Sequence, residues 1–124
     1  MIAIERYKLA LITAMVSEGK KSTIGMILLR IAWMYRSLGE SEEFIYLKEA
    51  LAALEEAYNL EEYPIYNLDE LNFKYLLGEL NRRVNNDNEA LKYLGDVIIS
   101  SKATARLKNL ARDQRDKIKN KNKE

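Results

Sequence analysis

The sequence contains neither cysteine nor histidine, and it has only one proline and five glycines among 124 residues. Without thiolate or imidazole groups, the chain excludes zinc sites built from those ligands, disulfide bonds, cysteine nucleophiles and every catalytic triad that needs a histidine. The scarcity of proline and glycine argues against an all-β sandwich, because such a fold needs many turn residues. With 48% hydrophobic and 31% charged residues, the composition is typical of one folded globular domain.

Long apolar runs are also missing from the sequence. No stretch approaches the roughly 18 apolar residues that a membrane-spanning helix needs. Residues 1–17 contain Glu5, Arg6 and Lys8, so they lack the apolar core of a signal peptide. We therefore expect a cytoplasmic protein without membrane contact.

Apolar residues recur every three or four positions along most of the chain, which is typical of amphipathic helices. Gly39 is expected to end one helix, Pro64 follows another, and the Asn-Asn-Asp-Asn run at 85–88 suits a turn and a helix N-cap. The one β-like run, residues 97–99, lies inside a helical pattern. The sequence therefore predicts an all-α fold of about six helices in antiparallel hairpins. Beyond the first helix, the apolar positions are Ile24, Ile27, Leu28, Ile31, Ala32, Tyr35 and Leu38; Phe44, Leu47, Leu51, Leu54 and Tyr58; Phe73, Leu76, Leu77, Leu80 and Val84; Ala90, Leu91, Leu94, Val97 and Ile98; and Ala103, Leu107, Leu110, Ala111 and Ile118.

The first helical segment differs from the others because it is apolar on two sides. One stripe consists of Ile4, Tyr7, Leu11 and Ala14, and the other of Leu9, Ile12 and Val16. A helix of this kind is usually buried on two sides, yet the first helix of an array has one neighbour within the chain. Three explanations remain open: a homodimer through this helix (Ile4, Tyr7, Leu11), a preceding segment outside this sequence, or partial exposure of Tyr7 and Met15.

Two helical hairpins share a spacing of small and large residues that resembles the tetratricopeptide repeat. Small residues such as Gly78 and Ala90 let the two helices approach closely, and Leu94 fills the space between repeats. We therefore predict a right-handed tetratricopeptide-like array over residues 1–119, followed by a frayed basic tail at 120–124. The matching positions are Ile31, Ala32 and Tyr35 with Ala50, Leu54 and Ala57, and Leu77, Gly78 and Asn81 with Ala90, Leu94 and Val97.

The two hairpins are spaced more widely than regular repeats. Ala32 and Gly78 lie 46 positions apart, whereas the usual period is about 34 residues. Half of the excess falls between Ala32 and Ala50 and the other half around residues 63–68. The first hairpin is therefore predicted to be lengthened, and the second to be nearly regular.

Four strings also resemble a family of uncharacterised bacterial proteins. They are LRIAWMYRSLGE (29–40), EYPIYNLDE (62–70), YLLGELNRRVNNDNEALKYLGDVI (75–98) and LARDQRDKIK (110–119). The resemblance implies a tetratricopeptide-like carboxy-terminal part that follows a cysteine-rich, zinc-ribbon-like amino-terminal part. Because this chain has no cysteine, we expect it to correspond to the carboxy-terminal part alone. The family implies no established activity.

A candidate partner-binding groove follows from the repeat. In tetratricopeptide-like arrays the first helix of each hairpin lines a concave groove, and here that face combines aromatic rings with guanidinium groups, which are enriched at binding hot spots. Arginine forks suit carboxylates, so an acidic peptide or a chain terminus is the expected guest. The alternative is that Trp33 and Tyr75 pack in the core while Arg82 and Arg83 pair with Glu79 or complement the helix dipole. The candidate groove residues are Trp33, Arg36, Asn72, Tyr75, Glu79, Arg82 and Arg83.

The acidic residues do not form a catalytic pattern. Adjacent carboxylates such as those at 42–43 and 55–56 point about 100° apart on a helix, so they do not converge on one proton or metal ion. Asp69 and Glu70 are better explained as a first helical turn that complements the helix dipole. We therefore expect no enzymatic activity, no cofactor and no metal site.

The carboxy-terminal segment is basic. Residues 102–124 hold nine Lys or Arg and three Asp or Glu, so the segment carries about +6 and the rest of the chain about −5. Arg112, Arg115 and Lys119 share one helix face, which leaves nucleic-acid association as the alternative function. The segment has no aromatic residue for base stacking, so we favour a protein partner.

Overall fold

The fold consists of α-helices joined by short connections. The computed structural model describes residues 3–16 and 19–121, and in this part of the chain it shows six helices and no β-strand, with one isolated bridge between Ile65 and Leu68. The all-α prediction is therefore confirmed. The helices are α1 (Ala3–Val16), α2 (Lys21–Ser37), α3 (Glu42–Leu60), α4 (Glu70–Arg83), α5 (Asp87–Ile99) and α6 (Ala105–Lys121).

The helices fall into two compact units. The amino-terminal unit is Met1–Glu62 and contains α1 to α3, and the carboxy-terminal unit is Tyr63–Glu124 and contains α4 to α6. Each unit combines a helical hairpin, α2–α3 or α4–α5, with a third helix that packs against the hairpin.

Two helix ends are stopped by a residue in the left-handed conformation. Gly39 (φ 68°) follows α2, and Asn85 (φ 65°) follows α4. In both cases the amide of this residue and the next amide donate to carbonyls of the last helical turn at 2.8 to 3.1 Å, which is the Schellman arrangement. The predicted helix end at Gly39 and the predicted turn at the asparagine run are therefore confirmed.

The hairpin of the amino-terminal unit is held at its open end and along its length. The Ser22 amide and hydroxyl donate to the Glu61 carboxylate at 2.9 and 2.7 Å, which joins the start of α2 to the end of α3. Gly25 lies against Leu54 so closely that an added Cβ would be 2.7 Å from Leu54 Cγ. A larger residue at this position would therefore force the Leu54 side chain to move.

The predicted lengthening of the first hairpin lies in its helices. The α2 and α3 helices have 17 and 19 residues, against 14 and 13 in α4 and α5. The close approach in this hairpin joins Gly25 to Leu54, and Ala32 is fully buried.

The hairpin of the carboxy-terminal unit is closely packed at Gly78, as predicted, but the side chain that meets Gly78 is Leu94, which we expected between repeats. A Cβ on Gly78 would lie 2.8 Å from Cγ and Cδ2 of Leu94, whose side chain is fully buried. Lys74 on α4 contacts Asp96 on α5 at 3.3 Å, so the two helices are antiparallel. Helix α6 covers this hairpin with Ala111 and Ile118, both buried in one cluster with α5.

Helix α6 includes Asn120 and Lys121, which we had assigned to the tail. Lys121 Nζ lies 2.9 Å from Asp87 Oδ2 and donates to Asn85 Oδ1 at 3.4 Å. The last turn of α6 is thereby joined to the start of α5. Residues 122–124 lie outside the described part of the chain.

One stripe of α1 packs against α2. Ile4 is 9% exposed, and Lys8 Nζ donates to Tyr35 Oη at 2.6 Å. The second stripe is exposed at Leu9 (51%) and Ile12 (57%), and the side chain of Val16 lies outside the description. The stripe that we named for a homodimer is thus the one directed at α2, and the homodimer itself stays a prediction.

Asp69 caps the start of α4. Its Oδ1 accepts hydrogen bonds from the Asn72 amide at 2.8 Å and from Asn72 Nδ2 at 2.9 Å. These bonds favour the ionised carboxylate and lower the pKa of Asp69 below its ordinary value of 3.8. The predicted role of this residue in the first helical turn is therefore confirmed.

The two glycines of the carboxy-terminal hairpin should respond oppositely to alanine. Gly95→Ala meets no atom within 4 Å and should raise the free energy of unfolding by about 0.5–1 kcal/mol, because alanine is the better helix former. Gly78→Ala forces Leu94 to move and should lower it by about 1 kcal/mol or more. Urea unfolding followed by circular dichroism measures both, and equal effects of the two variants would contradict the close packing.

Asp69→Ala should lower the free energy of unfolding by about 1 kcal/mol at neutral pH, because the helix cap is lost. Since the folded state lowers the pKa of Asp69, the cap stabilises above the unfolded pKa and is lost as the pH falls through the folded one. The difference between wild type and variant should therefore shrink in acid. Urea unfolding at several pH values tests this, with Asp69→Asn as a control that keeps a capping oxygen. A difference that persists unchanged in strong acid would be inconsistent with it.

Candidate functional site

The exposed side of α4 brings together four of the predicted groove residues. Tyr75, Glu79 and Arg82 follow one another at intervals of four and three residues, and Arg83 lies one turn after Glu79. All four side chains are half-buried. The spacing that predicted a shared face is therefore realised in this unit.

Tyr75 and Arg82 are joined through Gln114 of α6. The Gln114 Nε2 group donates to Tyr75 Oη at 3.3 Å, and the Arg82 Nε group donates to Gln114 Oε1. Gln114 is only 7% exposed, so its amide is fixed by packing as well as by these bonds. The Tyr75–Gln114–Arg82 network therefore holds a phenol and a guanidinium group in defined positions where α4 meets α6.

Burial affects the ionisation of Tyr75. Loss of solvent raises the pKa of Tyr75 above its ordinary value of 10.0, and the charge of Glu79 adds to this effect. The hydrogen bond from Gln114 and the charges of Arg82 and Arg83 act in the opposite direction. The phenol is therefore neutral at physiological pH and serves as a hydrogen-bonding group.

Arg83 pairs within its own helix. Its Nε and Nη2 groups donate to Glu79 Oε1 at 3.1 and 3.0 Å. This pairing with Glu79 is the predicted alternative to partner binding by Arg83. The second carboxylate oxygen of Glu79 has no part in these two bonds. Asn72, the first residue of the predicted groove on α4, is exposed and bonded to Asp69.

The other two predicted residues lie in the amino-terminal unit. Trp33 is 44% exposed, so it does not pack in the core. Arg36 is exposed and has no side-chain hydrogen bond or ion pair with another described residue. Their convergence with the arginines of α4 stays a prediction.

Sequence reasoning missed Gln114, which is the centre of the network. Gln114 occupies a position in the apolar stripe of α6, between Ala111 and Ile118 at intervals of three and four residues. A polar residue at a core position needs a hydrogen-bonding partner. A polar residue in an apolar stripe was therefore the sequence signal that could have identified Gln114. Its hydrogen-bonding partners could not be identified in this way, because they depend on how α6 packs.

Helix α6 is strongly basic. Its 17 residues hold seven Lys or Arg against two Asp. Arg112 and Lys119 are exposed. Arg115, which was expected to share their face, is half-buried. Its Nε is inaccessible to solvent, has no hydrogen-bond partner among the described residues, and lies 3.7 Å from Asp116 Oδ1.

Across residues 3–16 and 19–121, no three acidic, cysteine or histidine side chains are grouped as a metal site would require. Among the same helices, none combines the length and the apolarity needed to cross a bilayer.

Comparison with known proteins identifies a matching protein family. A family model described as an uncharacterized protein conserved in bacteria (DUF2225) matches residues 1–118. No curated protein and no solved structure matches the chain. The match covers almost the whole sequence, and no cysteine-rich part is present in it.

Gln114→Leu should raise the pKa of Tyr75 further, because the amide that donates to the phenolate oxygen is removed. A spectroscopic titration of the tyrosines at alkaline pH measures this, and Tyr75→Phe identifies the signal. Asn109→Leu, an exposed change on the same helix, should leave the Tyr75 titration unaltered. An identical Tyr75 titration in Gln114→Leu would refute the hydrogen-bond network.

Proposed function

The chain belongs to this uncharacterised bacterial family, DUF2225, and we propose that it is a cytoplasmic protein-interaction module built on a tetratricopeptide-like scaffold. We propose further that the surface where α4 meets α6 binds an acidic peptide. The Tyr75–Gln114–Arg82 network is the observation on which this proposal rests.

Pre-organisation is the first argument for a binding surface. An exposed arginine or tyrosine loses side-chain freedom when it binds a partner, and this loss weakens the complex. Here the Gln114 amide already bonds to Tyr75 Oη and to Arg82 Nε. A ligand that contacts these side chains would therefore find them ordered.

Charge gives the preference for an acidic guest. Arg82 and Arg83 share their face with Glu79 as the single acid, and α6 carries seven cations against two acids. A positive surface attracts acidic segments and speeds their association. Guanidinium groups also bind carboxylates through paired hydrogen bonds.

The packing of the carboxy-terminal unit supports the scaffold. Gly78 allows the close approach of α4 and α5 that a tetratricopeptide hairpin needs, with Leu94 packed against it. Helix α4 contacts α5 along the hairpin and α6 beside it. We infer that the remaining face of α4 is the one that would line the groove.

Nucleic-acid association is the second candidate, and the exposed cations Arg112 and Lys119 favour it. It differs from the first candidate in its chemistry. Phosphate binding would depend on these two exposed residues, whereas peptide binding would depend on Arg82 and Arg83. The two candidates can therefore be separated by substitution.

The test uses fluorescence anisotropy at low ionic strength with labelled hexaglutamate as the probe. We expect Arg82→Gln with Arg83→Gln to weaken binding by about tenfold or more, because charged hydrogen bonds are lost. The matched control is Lys92→Gln with Lys102→Gln, which removes the same charge from exposed positions outside the α4 surface. This control should bind hexaglutamate as the wild type does.

Two outcomes would overturn the peptide proposal. One is an equal loss of hexaglutamate binding in the two double variants, which would mean that binding depends on net charge alone. The other is tighter binding of a labelled thymidylate oligonucleotide that is lost on Arg112→Gln with Lys119→Gln, which would establish the nucleic-acid alternative. Circular dichroism confirms that each variant retains its helices.

A further inference from the structure

A cleft follows the boundary between α1 and α2 in the amino-terminal unit. One part has a volume of about 170 Å³ and is lined by Tyr7, Arg30, Trp33, Met34 and Ser37. The adjoining part has a volume of about 340 Å³ and is lined by Ala3, Ile4, Met34, Ser37 and Leu38. Met34 and Ser37 line both parts, so the two parts are adjacent.

The first part of the cleft carries one cation. Among the described residues, Arg30 is the only charged residue that lines it, and neither the Arg30 guanidinium nor the Trp33 indole N–H bonds to another residue of 3–16 or 19–121. No carboxylate from these same residues lines either part. Within this part of the chain, an anion in the cleft would therefore meet two available donors and no repelling acid.

The second part of the cleft is apolar. Ile4, Met34 and Leu38 supply hydrocarbon surface, and the one polar side chain, Ser37, already donates its hydroxyl to the Trp33 carbonyl at 3.1 Å. A peptide backbone placed here would meet no donor among the lining side chains, and unpaired peptide groups are costly to bury. An alkyl chain needs no hydrogen bond.

We propose that this cleft binds a monocarboxylic acid with an unbranched alkyl chain, its carboxylate on Arg30 and its tail against Ile4 and Leu38. Arg30 and Leu38 are eight residues apart on or just after α2, which is about 12 Å along a helix. A chain of about eight to ten carbons spans that distance, and the cleft has the size and apolar lining typical of small-ligand sites. This inference is independent of the proposed function, because it concerns the other unit.

The ligand can be tested with decanoate, followed by the fluorescence of Trp33, which is the only tryptophan. Decanoate below its aggregation concentration should shift the emission saturably. Arg30→Gln should weaken binding by about tenfold, because the charged partner of the carboxylate is lost. Arg6→Gln is the matched control, since Arg6 is exposed on α1 and lines neither part of the cleft.

Further ligands distinguish a carboxylic acid from other possible occupants of the cleft. Decanol and decyltrimethylammonium share the alkyl chain but lack the carboxylate, so both should bind more weakly than decanoate. Equal binding of decanol, or an equal response of the Arg30→Gln and Arg6→Gln variants, would overturn the proposal. Tighter binding of acetyl-trileucine would also overturn it, and would assign the cleft to a peptide carboxy terminus.

Discussion

The close approach of a glycine to a leucine across each hairpin is the constraint on which the rest of the structure depends. Gly25 meets Leu54 in one unit and Gly78 meets Leu94 in the other, at distances that leave no room for a side chain on the glycine. Dense packing of this kind has few alternative registers. Once the register is set, the Ser22–Glu61 bonds and the Lys74–Asp96 contact follow, because they join residues at matching heights of the same helices.

This constraint also determines which side of α4 is available to a partner. The face that carries Gly78 is occupied by α5, and the next face around the helix meets α6. Tyr75 and Arg82 lie at that second boundary. There the buried Gln114 donates a hydrogen bond to Tyr75 and accepts one from Arg82. A polar residue in the core is tolerated when its partners are present, so the network is both a product of helix packing and the feature that orders the surface.

Local features of the fold could be predicted from the sequence, whereas contacts between distant residues could not. Apolar spacing predicted the helices and the burial of Ala90, Leu94 and Val97, and the left-handed turn at Gly39 follows from glycine chemistry. The contact between Gly25 and Leu54 was not predicted, because the repeat spacing does not say which residues meet across a hairpin. The role of Gln114 was missed for the same reason, since its partners are 32 and 39 positions away.

Both units consist of a helical hairpin and a third helix, but the third helix packs differently in each. In the carboxy-terminal unit, α6 closes against the hairpin with buried Ala111, Gln114 and Ile118. In the amino-terminal unit, α1 has a shorter buried stripe, and its described side-chain hydrogen bond to α2 is that of Lys8 with Tyr35. A boundary with less to fill it leaves space between the helices, which is where the cleft lies. The same architecture therefore produces an ordered polar surface in one unit and an apolar cleft with one cation in the other.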